Sequence, residues 1–163
     1  MIIVRPATEN DLPQILEIYN DIIKNTTAVY YYEPHTLDMR KKWFDERKEQ
    51  GFPIFVAEED GNILGMSSIG PFRLPTAYQF AVENTVHVAA HVRGKGIGKL
   101  LMPPIIEAAK ELKKHTIIAG IDASNEVSLH LHKSFGFEEV AHFKEVGFKF
   151  GRWLDLKFLE LVL

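Results

Sequence analysis

Residues 86–101 read VHVAAHVRGKGIGKLL, and this stretch decides how the rest of the chain is interpreted. A short β-branched run leads into a loop that contains Gly94, Gly96 and Gly98, and an apolar run typical of a helix follows. Because glycine lacks a Cβ, several backbone N–H groups in such a loop can point at one position beside the positive end of the helix dipole. The stretch therefore predicts an anion site, and phosphate is the anion that we expect.

Glycine spacing alone is weak evidence, so three kinds of phosphate loop must be compared. A dinucleotide fingerprint has the spacing G-x-G-x-x-G, and the glycines at 94, 96 and 98 do not give it. A P-loop has Ser or Thr after its lysine, whereas Leu100 follows Lys99. The remaining pattern, R-G-x-G-I-G-x-L-L after a V-x-V strand, resembles the pyrophosphate-binding motif of the GNAT superfamily of N-acetyltransferases. That resemblance implies acetyl-CoA as the cofactor.

Composition narrows the class of protein. With 163 residues, of which 46% are hydrophobic, residues 1–163 suit a single domain with one core. No apolar run approaches the roughly 18 residues of a membrane span, and residues 1–6 do not begin like a secretory signal, so we expect a cytoplasmic protein without a membrane partner. The net charge of −3 argues against a nucleic-acid partner. The absence of cysteine excludes disulfides, thiolate metal sites and a thiol nucleophile.

Hydrophobic periodicity predicts the element order β α α β β β α β α β β. This order indicates an α/β protein with a mixed, mostly antiparallel sheet of about six to seven strands flanked by about four helices, which matches the order expected for the GNAT fold. The charged residues of the second helix, about 37–48, are interpreted as a solvated face. Pro103 and Pro104 fall early in the helix after the glycine loop, so we expect a kink or a bulge there.

A second motif lies at residues 125–137, NEVSLHLHKSFGF. It resembles the superfamily pattern N-x-x-(small)-x-x-(apolar)-Y-x-x-x-G-F, which implies that Asn125 contacts the cofactor. His132 occupies the position of the usual tyrosine, and this departure resembles the phosphinothricin acetyltransferase branch. Residues 146–155, VGFKFGRWLD, resemble the G-F-K-x-G-x-W-x-D signature of the same branch. The branch resemblance also implies a homodimer.

Glu83 is the predicted catalytic carboxylate. It lies in an apolar strand, where an ionisable side chain is costly to bury without a partner or a function, and the branch carries a glutamate at this point. Alternation places Glu83 and Thr85 on one face and Asn84 on the other, and we expect only the set that contains Glu83 to reach the cleft. His132 either takes the ammonium proton or donates one to the thiolate. A structural carboxylate and a packing histidine are the respective alternatives.

The resemblance also implies how the cofactor is held. In the superfamily the strand before the glycine loop pairs with the pantetheine arm, and here a backbone N–H near Val88 is expected to stabilise the oxyanion. The residues implied to bind acetyl-CoA are Val86, His87, Val88, Arg93, Gly94, Lys95, Gly96, Ile97, Gly98, Lys99, Asn125 and Ser134. No metal is expected, since the histidines show no ligand spacing.

The acceptor implied by the branch is a small amino acid whose side chain ends in a tetrahedral phosphorus or oxidised sulfur group, such as phosphinothricin, methionine sulfoximine or methionine sulfone. Such a substrate needs a cation for its carboxylate or its polar tail. The residues proposed to bind it are Arg73, Lys149, Tyr78, Glu83, Thr85 and Tyr31. A packing role at the edge of the core is an equal alternative for Tyr31.

The sequence therefore predicts an enzyme that transfers acetyl from acetyl-CoA directly to the α-amino group of a small amino-acid analogue. The first alternative is another amine: a polyamine would need an acidic groove, and a protein N-terminus would need an open one. The second alternative is a sensor that binds acetyl-CoA without catalysis. A sensor would lack proton-transfer groups, whereas Glu83 and His132 are present.

Overall fold

The computed structural model describes residues 1–163, which form one seven-stranded sheet and four α-helices. The strands are β1 (Ile3–Pro6), β2 (Ile54–Glu59), β3 (Asn62–Pro71), β4 (Ala81–Val88), β5 (Thr116–Asp122), β6 (Glu138–Lys149) and β7 (Arg152–Val162). The helices are α1 (Leu12–Asn25), α2 (Leu37–Glu49), α3 (Ile97–Glu111) and α4 (Glu126–Ser134). None of the helices is long and apolar enough to cross a membrane.

The strand order in the sheet is β1-β2-β3-β4-β5-β7-β6, and β4 and β5 are its one parallel pair. The predicted class, a mixed and mostly antiparallel sheet with helices around it, is confirmed. The pairing of β4 with β5 stops at Glu83 and Ile118, although β4 continues to Val88 and β5 to Asp122. The two strands therefore separate in the middle of the sheet and leave a gap between them.

The helices cover both faces of the sheet. The apolar stripe of α1, which includes the buried Ile15 and Ile22, packs on the face of β3 that carries Met66. Ser67 points to the opposite face, where its hydroxyl donates to the Leu101 carbonyl of α3 at 2.9 Å. The separated halves of β4 and β5 are thus enclosed between helices from two sides.

Helix α3 continues through Pro103 and Pro104 without interruption, from Ile97 to Glu111. Each proline removes one donor from the backbone ladder, which is the reason that the sequence predicts a kink or a bulge. Met102 and Ile105, on either side of the pair, are both fully buried. Their packing holds this segment in the helical conformation despite the missing hydrogen bonds.

A buried ion pair fixes the start of α1. The carboxylate of Asp11 accepts from both terminal nitrogens of Arg5, at 2.8 and 2.9 Å, and from the Thr8 amide at 2.7 Å. The hydrogen bonds from Arg5 hold the pKa of Asp11 below its usual value of 3.8. A lowered carboxylate pKa stabilises the fold above pH 3.8, and this stabilisation is lost as the pH falls through the folded-state pKa.

We expect Asp11→Asn to lower the free energy of unfolding at pH 7 by about 2 kcal/mol, because it leaves the half-buried Arg5 without its bidentate partner. Urea unfolding of both proteins at pH 7 and at several values down to pH 3 measures this. The difference between the two proteins should begin to shrink below about pH 4, where Asp11 of the unfolded chain takes up a proton, and should be lost only below the lowered folded-state pKa. A difference independent of pH would show that the charge of Asp11 is not the cause.

Candidate active site

A cleft of about 390 Å³ occupies the gap between β4 and β5. Glu83 and Thr85 reach it from the α1 and α2 side of the sheet, and Asn84 and Val86 reach it from the α3 and α4 side. The expectation that only one of these sets can line the cleft is therefore wrong. Because the strands separate here, the cavity passes through the sheet and takes side chains from both faces.

The backbone of β4 is open on the side that faces the gap. The Ala89 amide donates to the Leu64 carbonyl of β3 at 2.9 Å, and Val88 is paired with Gly65 in the register. In an antiparallel pair, alternate residues bond to the neighbouring strand, so the N–H groups of Val86 and Val88 point away from β3. The Arg93 Nε donates to the Val88 carbonyl at 3.3 Å. The geometry leaves these two amides available to a ligand in the gap, as the predicted roles of Val86 and Val88 require.

The glycine loop joins a 3-10 turn, Ala90–Val92, to the start of α3. Gly94 and Gly96 have φ values of +79° and +83°, and a Cβ on either would meet nothing within 4 Å. The backbone amides of residues 94–98 donate to no protein acceptor. A left-handed loop with free amides in open space, at the positive end of a 15-residue helix, fits a phosphate group.

The other residues of the loop have different roles. Gly98 packs closely on α4: a Cβ there would lie 2.9 Å from Leu131 Cδ2, and the leucine side chain would have to shift. Ile97 is fully buried in the core, so only its backbone faces outward. Lys95 and Lys99 are exposed at the mouth of the loop, where their charges add to the attraction for an anion.

Helix α4 lines the cleft with its first two turns. The Asn125 Oδ1 accepts from the Ser128 amide at 3.1 Å, so this side chain caps the helix as well as lining the cleft. Ser128 also lines the cleft, and the sequence did not single it out. Ser134 lies outside the cleft lining, in the last turn of α4, where its hydroxyl donates to the Leu131 carbonyl at 2.6 Å.

His132 is buried beneath the cleft, and both of its ring nitrogens have partners. Nδ1 lies 2.8 Å from the Ser128 carbonyl, which can only accept, so Nδ1 carries the proton. Nε2 then accepts from the Asn84 amide nitrogen at 2.9 Å. Burial lowers the pKa of His132, which favours this neutral form. The Oδ1 atom of Asn84 is left buried without a hydrogen-bond partner.

Glu83 differs from His132 because its carboxylate accepts no hydrogen bond from the protein. A Cβ on Gly120 of β5 would lie 3.2 Å from Glu83 Oε1, so glycine at that position leaves room for the carboxylate. Burial raises the pKa of Glu83, and the positive charges of Arg73 and Arg47 oppose the rise. An unengaged carboxylate with a raised pKa in a cleft is suited to accept a proton.

Helix α2 forms one wall of the cleft, which the sequence did not predict. Arg40, Trp43 and Arg47 all line the cleft, so the interpretation of the charged residues of α2 as a solvated face is wrong for both arginines. The Arg40 guanidinium lies 4.2 Å from the centroid of the Tyr19 ring and 4.8 Å from that of Trp43. Burial lowers the pKa of both arginines. Arg40, Trp43 and Arg47 are spaced i, i+3, i+7, so they share one face of α2. This spacing is the sequence signal that could have indicated a cleft wall.

His87 points to the same side of the cleft as Glu83. Its ring packs against the ring of Tyr19, with 5.5 Å between centroids. Burial, together with the positive charges of Arg40 and Arg93, lowers the pKa of His87 to about 4. His87 is therefore neutral at pH 7.

The loop of residues 26–34 closes one end of the cleft. Tyr30 donates to Asp122 Oδ1 at 2.7 Å, and Thr27 donates to Asp122 Oδ2 at 2.9 Å. Tyr31 lines the cleft, as proposed from the sequence, whereas Tyr32 donates to the Phe148 carbonyl. The tyrosines thus divide between anchoring the loop and lining the cleft.

Three residues proposed to bind the substrate lie outside the lining of this cleft. Lys149 is 4% exposed and its ammonium donates to the carbonyls of Thr26 and Val29, both at 2.8 Å, so it anchors the loop and does not face the cleft. Arg73 is exposed and its guanidinium lies 5.2 Å from the centroid of the Phe72 ring. Tyr78 packs edge-on against the same ring. Of the three, Arg73 acts electrostatically on Glu83.

We expect Lys149→Met to lower the free energy of unfolding by about 1–3 kcal/mol, because the carbonyls of Thr26 and Val29, which are partly buried, lose their charged donor. Thermal unfolding and limited proteolysis of the 26–34 loop measure this. The affinity of the cleft for a ligand that carries a carboxylate should not change. A selective loss of affinity for such a ligand, with no loss of stability, would instead make Lys149 a ligand-binding residue.

Comparison with known proteins identifies the family. A family model described as an acetyltransferase (GNAT) domain matches residues 4–157. An L-methionine sulfoximine/L-methionine sulfone acetyltransferase of Pseudomonas aeruginosa is 44% identical over 161 residues, which cover 98% of this chain and 94% of the relative. The chain therefore belongs to the GNAT family of N-acetyltransferases, and the predicted family and enzyme class are confirmed.

Solved structures agree over the whole chain. The crystal structure of a ribosomal-protein-alanine N-acetyltransferase from Brucella melitensis has a TM-score of 0.96 and 46% identity, and the match covers 99% of both chains. A phosphinothricin acetyltransferase from Sinorhizobium meliloti in complex with acetyl-CoA has a TM-score of 0.96 and 34% identity, with coverage of 99% of this chain and 88% of the other.

Proposed function

We propose that this enzyme transfers acetyl from acetyl-CoA directly to the α-amino group of a small amino-acid analogue of the methionine sulfone, methionine sulfoximine or phosphinothricin type. One observation carries the proposal. Glu83 presents a carboxylate without a protein partner to a cleft lined from both faces of the sheet, and the glycine loop with its free amides follows the end of the same strand. Amine and thioester can thus approach each other from the two faces.

The residues along the gap fit acetyl-CoA, which supplies an activated acetyl group as a thioester. The amides of residues 94–98 would hold its phosphates, and the backbone of Val86 would pair with its extended arm. The Val88 amide is the donor that we assign to the thioester carbonyl oxygen. Asn125, whose side chain is held by its hydrogen bond to the Ser128 amide, also lines the cleft from α4.

We assign Glu83 as the base that removes the ammonium proton before the amine attacks. Its carboxylate is free of protein donors, and a raised pKa brings it closer to the pH at which it must work. His132 is less suited to that role, because Asn84 occupies Nε2 and Ser128 occupies Nδ1. Its unprotonated Nε2 also has no proton to give to a thiolate, which favours a role in holding Asn84 in place.

The lining of the cleft favours a small anionic acceptor. Arg40 and Arg47 face the cavity, so a polycationic polyamine would be repelled. The 26–34 loop, fastened through Tyr30 and Lys149, encloses one end and leaves little room for a peptide. Relatives named for methionine sulfoximine, methionine sulfone and phosphinothricin support this class, while the relative named for a ribosomal protein keeps a peptide acceptor in the test.

We further propose that the enzyme is a homodimer, as the branch resemblance implies, and that it works in the cytoplasm, as expected from the composition. The edge strand β6 and the adjoining part of β7 expose the apolar side chains of Phe148 and Trp153, whose exposed fractions are 46% and 63%. Apolar side chains on an unpaired sheet edge favour association of two chains. Size-exclusion chromatography with light scattering tests the dimer, and fractionation of cells tests the location.

Thiol release from acetyl-CoA tests the proposed function. The panel consists of methionine sulfone, methionine sulfoximine, phosphinothricin, ordinary amino acids, spermidine and a short alanine-terminated peptide. Release with the first three above all others supports the proposal. Release with the peptide or spermidine alone would show that the acceptor is a peptide or a polyamine and not an amino-acid analogue. No release despite measurable binding of acetyl-CoA would favour the sensor.

A further inference from the structure

The guanidinium of Arg47, on α2, packs on the sheet at the position next to Glu83. Gly70 of β3 is the cross-strand partner of Glu83, so a side chain at position 70 would stand next to that of Glu83 on the same face. A Cβ on Gly70 would lie 2.6 Å from Arg47 Nε and 2.7 Å from its Cζ. Arg47 therefore fills the place of the side chain that Gly70 lacks, as the neighbour of the proposed base.

No carboxylate lies within ion-pair distance of Arg47 to compensate its burial, and Glu83 acts on it only through its charge. The side-chain hydrogen bond of Arg47 runs from Nη1 to the Gln50 Oε1 at 3.1 Å. A half-buried guanidinium normally finds a carboxylate or phosphate, because its desolvation is otherwise uncompensated. The Arg47 Nη2 has no hydrogen-bond acceptor in the protein and Arg47 lines the cleft, so we expect a ligand to supply the hydrogen-bonded anion.

The position of Arg47 determines which group of an amino acid it can bind. The α-carboxylate and the α-amine are attached to the same carbon, so a cation for the carboxylate must stand next to the base for the amine. Arg40 lies seven residues earlier on α2, about 10 Å along the helix axis, and acts on His87 at the other end of the cleft. Arg40 is therefore too far from Glu83 to bind the same carboxylate.

We propose that Arg47 binds the α-carboxylate of the acceptor and so holds the α-amine against Glu83, an inference that rests on the proposed function. Arg47 is then a specificity-determining residue that selects amino acids over simple amines. Its planar fork provides two parallel donors for a carboxylate, which a lysine would not.

The test compares methionine sulfone with 3-(methylsulfonyl)propan-1-amine, which is the same molecule without its carboxylate. In Arg47→Met, kcat/KM for methionine sulfone should fall by roughly 10- to 100-fold, while kcat/KM for the amine should change by less than about threefold. Gly70→Ala should also lower kcat/KM for methionine sulfone relative to kcat/KM for the amine, because the added Cβ displaces the Arg47 guanidinium without removing it. The binding of both ligands is measured by calorimetry in the presence of CoA.

Lys48→Met is the matched control, since it removes one positive charge from the next residue of α2, where the side chain is exposed. It should leave both kcat/KM values unchanged. Equal losses for the two acceptors in Arg47→Met would indicate a structural role and overturn the inference. Loss of discrimination in Arg73→Met alone, or equal binding of both ligands by the wild-type enzyme, would also overturn it. Selective binding of methionine sulfone that depends on Arg47, without acetylation, would reject the proposed function and leave the inference standing.

Discussion

Replacing Glu83 with glutamine is expected to lower kcat by about 10²- to 10⁴-fold, the range that removal of a general base produces. An amine is mostly protonated at pH 7, so it cannot attack until a base takes its proton. Glutamine has the shape of glutamate but no basic oxygen of comparable strength. Steady-state kinetics with methionine sulfone and acetyl-CoA measure the change.

The same substitution should leave the fold and the binding of acetyl-CoA nearly intact. Glu83 accepts no hydrogen bond from the protein, so its replacement leaves no donor unpaired. Calorimetric binding of acetyl-CoA checks this, and Glu138→Gln, at an exposed position of β6, is the control for a changed charge. A loss of kcat together with a loss of acetyl-CoA binding would count against Glu83 as the base.

The pH dependence of kcat/KM should separate Glu83 from His132. Burial raises the pKa of Glu83 above its usual value of 4.5, and a base must be unprotonated, so activity falls as the pH drops through that raised pKa. Glu83→Gln should abolish this acidic limb, whereas His132→Asn should retain it. If Glu83→Gln retained the acidic limb and His132→Asn lost it, His132 and not Glu83 would be the base.

The glycine loop could be predicted from sequence because its conformation depends on local rules. The positive φ values of Gly94 and Gly96 are accessible to glycine and costly for other residues, so their spacing indicates the turn directly. The alternation of β4 was likewise correct, with Glu83 and Asn84 on opposite faces. What alternation cannot reveal is that β5 separates from β4 beyond Glu83, which exposes both faces to one cleft.

The wall of the cleft could not be predicted because it depends on tertiary contacts. In sequence, Arg40 and Arg47 are two charges among many on a polar helix, and such residues are usually solvated. They become half-buried because α2 lies against the face of the sheet that carries Glu83, under the closed 26–34 loop. Lys149 shows the reverse case. Its motif suggested a substrate contact, but the nearest acceptors are the carbonyls of that loop.

The second large effect is expected from Gly96→Val, which should raise the dissociation constant for acetyl-CoA by on the order of 100-fold. A β-branched side chain is strongly disfavoured at the φ of +83° that Gly96 adopts. The backbone must rotate towards negative φ to relieve this, and that rotation turns the amides of Gly96 and Ile97 away from the phosphate position. Each charge-assisted hydrogen bond lost contributes to the weaker binding.

Gly61→Val separates this effect from general destabilisation. Gly61 has a φ of +81° and nothing within 4 Å of its Cβ position, but it lies in the hairpin turn between β2 and β3. Both variants should therefore lose a similar few degrees of Tm, since both force valine into the same backbone region. Only Gly96→Val should weaken acetyl-CoA binding in calorimetry. Equal binding by the two variants would mean that side-chain charge, from Arg93, Lys95 and Lys99, holds the phosphates in place of the backbone.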